Sequence, residues 1–167
     1  WMDKCAGWRN KYDPVTPDMF DESEHVNQYA FVRILSEQMK EDDILVGDCG
    51  GNIVVINHCF KTKTGQRYFT NNGNSPMGFS FAGAIGAWFA SDKELQTLVN
   101  YNVGIKVIIL NNHIYGITKA FQETNFEGRM EACGPIGYNP PDFIKVAQAY
   151  GLDTVRVEGS DYNQIRR

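Results

Sequence analysis

Val107-Ile108-Ile109-Leu110, followed at once by Asn111-Asn112, constrains this chain more than any other feature. An unbroken aliphatic run of this length reads as a strand buried on both faces. Two amides at its end place polar oxygens on the carboxyl edge of a parallel sheet, where α/β proteins hold their ligands. Taken alone, the pair has a simpler reading, because Asn also caps helices well.

The rest of the chain alternates in the same way. Ser23 is expected to cap a helix through Lys40, with Val26, Tyr29, Ala30, Ile34 and Leu35 at helical spacing. Ile44-Leu45-Val46 reads as a strand, and Gly47-Asp48-Cys49-Gly50-Gly51-Asn52 as the turn into a helix through about Phe60. Arg67 to Thr70 reads as the next strand and 77–90 as a Gly- and Ala-rich helix able to approach neighbouring backbone closely. Further helices are expected at 93–102, 113–122 and 141–150, the last with Pro141 in its first turn. Strands are expected at 105–110 and 154–157, and Ser160 is expected to cap a final helix. This order predicts an α/β fold: a doubly wound parallel sheet with helices on both faces. Residues 1–22, with Trp1, Trp8 and Tyr12, read as a lead-in that packs aromatics on a larger body, and 23–167 as one domain. An opening Trp without a start Met points to a piece of a longer polypeptide.

Gly73-Asn74-Ser75-Pro76-Met77-Gly78-Phe79, the small-residue helix Ala82-Gly83-Ala84-Ile85-Gly86-Ala87, and Asn111-Asn112 with Tyr115-Gly116 together carry a resemblance. They resemble the diphosphate-binding domain of thiamine diphosphate (ThDP) enzymes, in the acetolactate synthase branch, and the resemblance covers the whole chain. It implies ThDP and Mg²⁺ as cofactors, with Asn112 giving a side-chain ligand and Ile114 a backbone carbonyl to the metal. It also implies that Met77 wedges under the cofactor and forces its V shape, while the Ser75 carbonyl accepts from the aminopyrimidine. Gly50, Gly51 and Asn52 would meet the diphosphate at the start of a helix, with Tyr115 and Gly116 nearby. Relatives usually carry Gln-His where Gly51-Asn52 stand, so Asn52 would donate a bond without charge.

The implied reaction is decarboxylation of a 2-oxo acid, pyruvate first, and transfer of the two-carbon unit to a carbonyl acceptor. Phe121 stands where enzymes that prefer 2-oxobutyrate carry Trp. Phe leaves a differently shaped acceptor pocket. The runs from Phe121 to Arg129 and from Gly137 to Phe143 resemble acetolactate-synthase-like proteins whose acceptors vary and can include keto-sugars, and Arg129 is a candidate contact for an acidic or phosphorylated acceptor. The activating Glu of the family lies on a separate N-terminal domain, so these residues alone are expected to be inactive. The same domain implies a homodimer or homotetramer. The FAD of some relatives sits in a middle domain on which this sequence is silent.

One part of the pattern is missing. The family's Gly-Asp-Gly belongs some 25 residues before Asn112, near Trp88, and Ala90-Ser91-Asp92-Lys93-Glu94 does not provide it. The helices at 77–90 and 93–102 also abut with no strand between them. Both points lead to the expectation that roughly twenty residues are absent between Asp92 and Lys93, since a central strand is hard to delete.

Other chemistries have less support. A net charge of −4 without a Lys/Arg cluster gives no nucleic-acid footprint, and no apolar run has membrane-spanning length. Cys5, Cys49, Cys59 and Cys133 lack paired metal spacing; they read as reduced thiols of a cytoplasmic protein, and zinc is not expected. Two rivals stand beside the enzyme: a non-catalytic module that kept the sheet, and a nucleotide or flavin binder resting on the Gly47–Asn52 turn alone.

Overall fold

Asn27 starts the helix that holds the largest share of the core among the described residues. Its side-chain oxygen accepts from the N–H groups of Tyr29 and Ala30, at 3.0 and 3.3 Å. In the computed structural model, which describes residues 1–21, 24–90, 104–134, 137–159, 162 and 165, this helix (α2) spans Gln28–Gln38. The expected span of 23–40 is thus too long, and Ser23 lies outside the described residues. Ala30, Phe31, Val32 and Ile34 are buried, against Ile53, Val55 and Cys59 of a second helix (α3, Gly51–Cys59).

The chain forms two compact units, residues 1–106 with 157–167, and residues 107–156. In the first, α1 (Met2–Lys11) precedes a 3₁₀ turn at Pro17–Phe20 and α2. Strand β1 (Ile44–Val46) pairs in parallel with β2 (Arg67–Phe69), Leu45 opposite Tyr68, across the α3 crossover. Helix α4 (Phe79–Ala90) lies against β1. A β-carbon at Gly83 would come within 3.1 Å of Val46 Cγ1, so the expected close approach of this helix occurs at Gly83. The second unit holds α5 (Gly116–Asn125) and α6 (Phe143–Ala149).

Four expectations are corrected. Val107 to Leu110 makes no ladder among the described residues, and Val107, Ile108 and Ile109 are 59, 48 and 51% exposed. The run has the composition of a strand, but a strand also needs a neighbour to take its backbone groups. Residues 154–157 are likewise irregular, with Val155 exposed. Helix α6 is capped by Asp142, whose side chain accepts from Ile144 and Lys145, so Pro141 precedes the cap instead of opening the first turn. Trp1, Trp8 and Tyr12 are exposed, Trp1 meeting Trp8 edge-on, so these three do not pack on a larger body; the lead-in's Phe20 instead meets Tyr162 edge-on. The helices expected at 93–102 and after Ser160 fall on or begin at residues outside the described set.

Arg33 locks the first unit. Its Nε donates to the Cys59 carbonyl at the end of α3, and its other nitrogens reach both Asp13 oxygens at 3.1 and 2.8 Å. That bidentate bond, then the Val15 N–H, hold the Asp13 carboxyl at about 2. Removing the carboxylate in Asp13→Ala strands a buried guanidinium and is expected to cost about 1–3 kcal/mol. A carboxyl whose pKa falls on folding stabilises fully above its unfolded value near 3.8, and loses that contribution as pH falls through about 2. Urea melts of wild type and Asp13→Ala should therefore differ at pH 6 and draw together toward pH 2.

Candidate functional site

Glycine decides the first turn. After β1 the ladder ends with Gly47 N–H donating to the Phe69 carbonyl. A β-carbon at Gly47 would lie 3.0 Å from the Tyr68 hydroxyl. Gly50 then takes φ 75°, ψ −144°, backbone that a side chain resists, and α3 starts with no side-chain cap. An uncapped helix start offers its N–H groups and positive end to an oxyanion. A side chain at Gly51 would meet open space, so the need for glycine lies at Gly50. Asn52 Oδ1, in the first turn of α3, is buried without a protein partner, a polar atom that wants one.

The second turn follows β2. Asn71 accepts from Ser75 N–H through its carbonyl (2.9 Å) and from Asn74 N–H through its side chain (3.3 Å). Ser75 sits at φ 45°, left-handed for a residue with a side chain, and Gly78 at φ 86°. Between them Met77 is 74% exposed.

Asp48 joins the two turns. Its carboxylate accepts from Cys49 N (2.8 Å), Gly78 N (3.1 Å), Ser80 N (3.0 Å) and Ser80 Oγ (2.7 Å). Burial opposes the charge, yet the Ser80 hydroxyl and the N–H groups of Cys49, Ser80 and Gly78 outweigh it and hold the carboxyl at about 2. The Asp48 carboxylate thus takes the N-terminus of α4, leaving that of α3 open. Burial, and then Asp48, push the Cys49 thiol up, which disfavours its thiolate. The sequence read Asp48 only as part of a turn, because its bonds reach 30 and 32 residues along the chain.

The second unit holds the amide pair. Asn111 Oδ1 accepts from His113 N–H (3.1 Å) and Asn112 Oδ1 from Ile114 N–H (3.2 Å). Neither caps α5, whose cap position is Tyr115 without a side-chain bond, so the simple capping reading of the pair is not what the fold uses. A β-carbon at Gly116 would come within 3.2 Å of Asn112 Nδ2, so glycine there leaves room for the amide. Tyr115 N–H donates to the Cys133 carbonyl, and its ring lies 4.0 Å from that of Tyr138. Phe121 is exposed and meets Phe126 edge-on. The expected site residues thus divide: Gly50, Gly51, Asn52, Ser75 and Met77 in the first unit, Asn112, Ile114, Tyr115, Gly116 and Phe121 in the second.

Residues 90–167 match the family described as thiamine pyrophosphate enzyme, C-terminal TPP binding domain. A probable acetolactate synthase large subunit of Methanococcus aeolicus is 30% identical over 137 residues, covering 72% of this chain and 22% of the relative. That of Methanocaldococcus jannaschii is 27% identical over 168 residues (87% and 28%). The acetolactate synthase large subunit of Parasynechococcus marenigrum is 26% identical over 176 residues (94% and 27%). The chain spans about a quarter of the length of these relatives. The last alignment uses 94% of 167 residues, about 157, against 176 aligned positions, so about 19 positions have no counterpart here.

Gly50→Ala forces a side chain into a conformation nearly exclusive to glycine and is expected to cost about 1–3 kcal/mol. Thermal melts should show the loss, with Gly51→Ala near wild type. The chain carries a C-terminal thiamine pyrophosphate binding domain of the acetolactate synthase family.

Proposed function

We propose that the intact protein decarboxylates a 2-oxo acid, pyruvate first, and passes the two-carbon unit to a carbonyl acceptor, with ThDP as cofactor. The carrying observation is an exposed Met77 on a turn joined through Asp48 to the uncapped start of α3. The donor set fits the cofactor. The amides at Gly51 and Asn52 would hold its diphosphate, Gly50 giving the turn its shape. Met77 would support its rings, and the Ser75 carbonyl would orient its aminopyrimidine. When bound, ThDP supplies the electron sink for carbon–carbon cleavage. The chain's own part is to bind it, fix its conformation and order the groups around it.

The described residues fit Mg²⁺ less well. Magnesium takes six hard oxygens, commonly with one or two carboxylates beside phosphate. Asn112 Oδ1 faces Ile114 N–H, Asp48 is engaged by four donors, and no three His, Cys, Asp or Glu gather as a metal group among the described residues. In this proposal Asn112 and Ile114 bind the metal only once a carboxylate is added, from a segment of roughly twenty residues proposed to belong between Asp92 and Lys93; about 19 aligned positions of one relative have no counterpart in this chain, which supports an omission of that size. That segment would also give Val107–Leu110 its neighbour and complete a doubly wound sheet. Phe121 in place of Trp favours acceptors other than 2-oxobutyrate, keto-sugars among them. These 167 residues alone are proposed to be inactive, and the intact protein to be a cytoplasmic homodimer or homotetramer. The incomplete cation site favours one second reading, a non-catalytic module that binds without turnover.

Calorimetric titration of ThDP into the full chain tests this. Saturable binding, undisturbed by FMN, is expected, with Mg²⁺ improving affinity by less than about threefold. Inserting the Methanocaldococcus jannaschii segment at 92/93 should raise the magnesium gain to about tenfold or more, and Asn112→Ala should remove it. Absence of ThDP binding under every condition leaves neither the enzyme nor a ThDP module standing.

A further inference from the structure

Met77 stands between two braces. Upstream, Asn71 holds Asn74 and Ser75; downstream, Asp48 holds Gly78 and Ser80. Only Pro76, whose ring fixes its own φ, and Met77 lie between. An exposed methionine on a free loop would fold back onto apolar surface. Here the backbone is left-handed at Ser75 and Gly78 and pinned on either side, and Met77 on this turn is 74% exposed.

We propose that Asp48 and Asn71 are positioning residues: together they fix the turn that presents Met77 to the cofactor's rings, and Asp48 couples that turn to the anion-binding start of α3. The inference rests on the ThDP reading of the site. It carries a signature that loss of folding lacks. Asp48 brings a negative charge beside the turn proposed to receive a diphosphate, through its bond to Cys49 N–H. Removing the charge spares or improves binding of a bare diphosphate, while loosening Met77 weakens binding of the whole cofactor. General destabilisation lowers both.

The test titrates ThDP and inorganic pyrophosphate into the full chain and its Asp48→Asn, Asn71→Ala, Ser80→Ala and Met77→Ala variants. Amide exchange at Gly78 and Ser80 is followed without ligand. For Asp48→Asn, exchange at both amides should rise about tenfold and ThDP affinity fall about tenfold, with pyrophosphate affinity held within about twofold or raised. Asn71→Ala should weaken ThDP alone. Ser80→Ala keeps all three N–H bonds to Asp48, is expected to fold as wild type, and should lose about threefold in ThDP affinity. Met77→Ala should match the ThDP loss and leave exchange unchanged. Equal losses for ThDP and pyrophosphate in Asp48→Asn overturn the positioning role, as does faster exchange with ThDP affinity intact. If wild type binds no ThDP while exchange still answers to Asp48→Asn, the ThDP reading fails and the role toward the cofactor fails with it, leaving a structural brace.

Discussion

The carboxylate of Asp48 ties together the two turns that follow β1 and β2 in the first unit. It sits at the end of β1, where the chain must turn, and takes four donors from two turns 30 residues apart. Placing an anion at a helix start also offsets the helix dipole, here that of α4. Other features then follow from local demands. Gly50 bends the chain into α3, Gly83 lets α4 approach Val46, and Ser75 and Gly78 accept left-handed backbone so that Met77 faces outward. Arg33 does similar work at the far end of α3, joining its last carbonyl to Asp13.

The second unit shows what an isolated motif does without its surroundings. Asn111 and Asn112 close short turns on His113 and Ile114, and Gln122 ties α5 to the Glu131 backbone. The local chemistry is intact. Among the described residues Val107–Leu110 makes no ladder, and about 19 aligned positions of one relative have no counterpart in this chain.

Local signals were legible in the sequence. Short apolar runs bounded by turn residues gave β1 and β2 correctly, and Gly-rich stretches marked α3 and α4, because these features depend on nearby residues. Helix limits were less legible: the observed cap of α2 is Asn27, the expected Ser23 lying outside the described residues, and Asp142 caps α6 where Pro141 was expected in the first turn. The strand at 105–110 was misjudged because aliphatic composition reports a wish for burial and not the presence of a partner. Asp48 and Asn71 escaped notice for the opposite reason. Turn residues of their type are common, and only the fold brings Gly78 and Ser80 to the carboxylate of Asp48.

The central claim is that the turns around Gly50 and Met77 form one preorganised half of a ThDP site. Hydrogen exchange of the full chain, with and without saturating ThDP, tests it most directly. The account predicts that ThDP slows exchange at 50–53 and at 73–80 together, at the same ligand concentration. Protection at only one of the two turns, or confined to other parts of the chain, would contradict it.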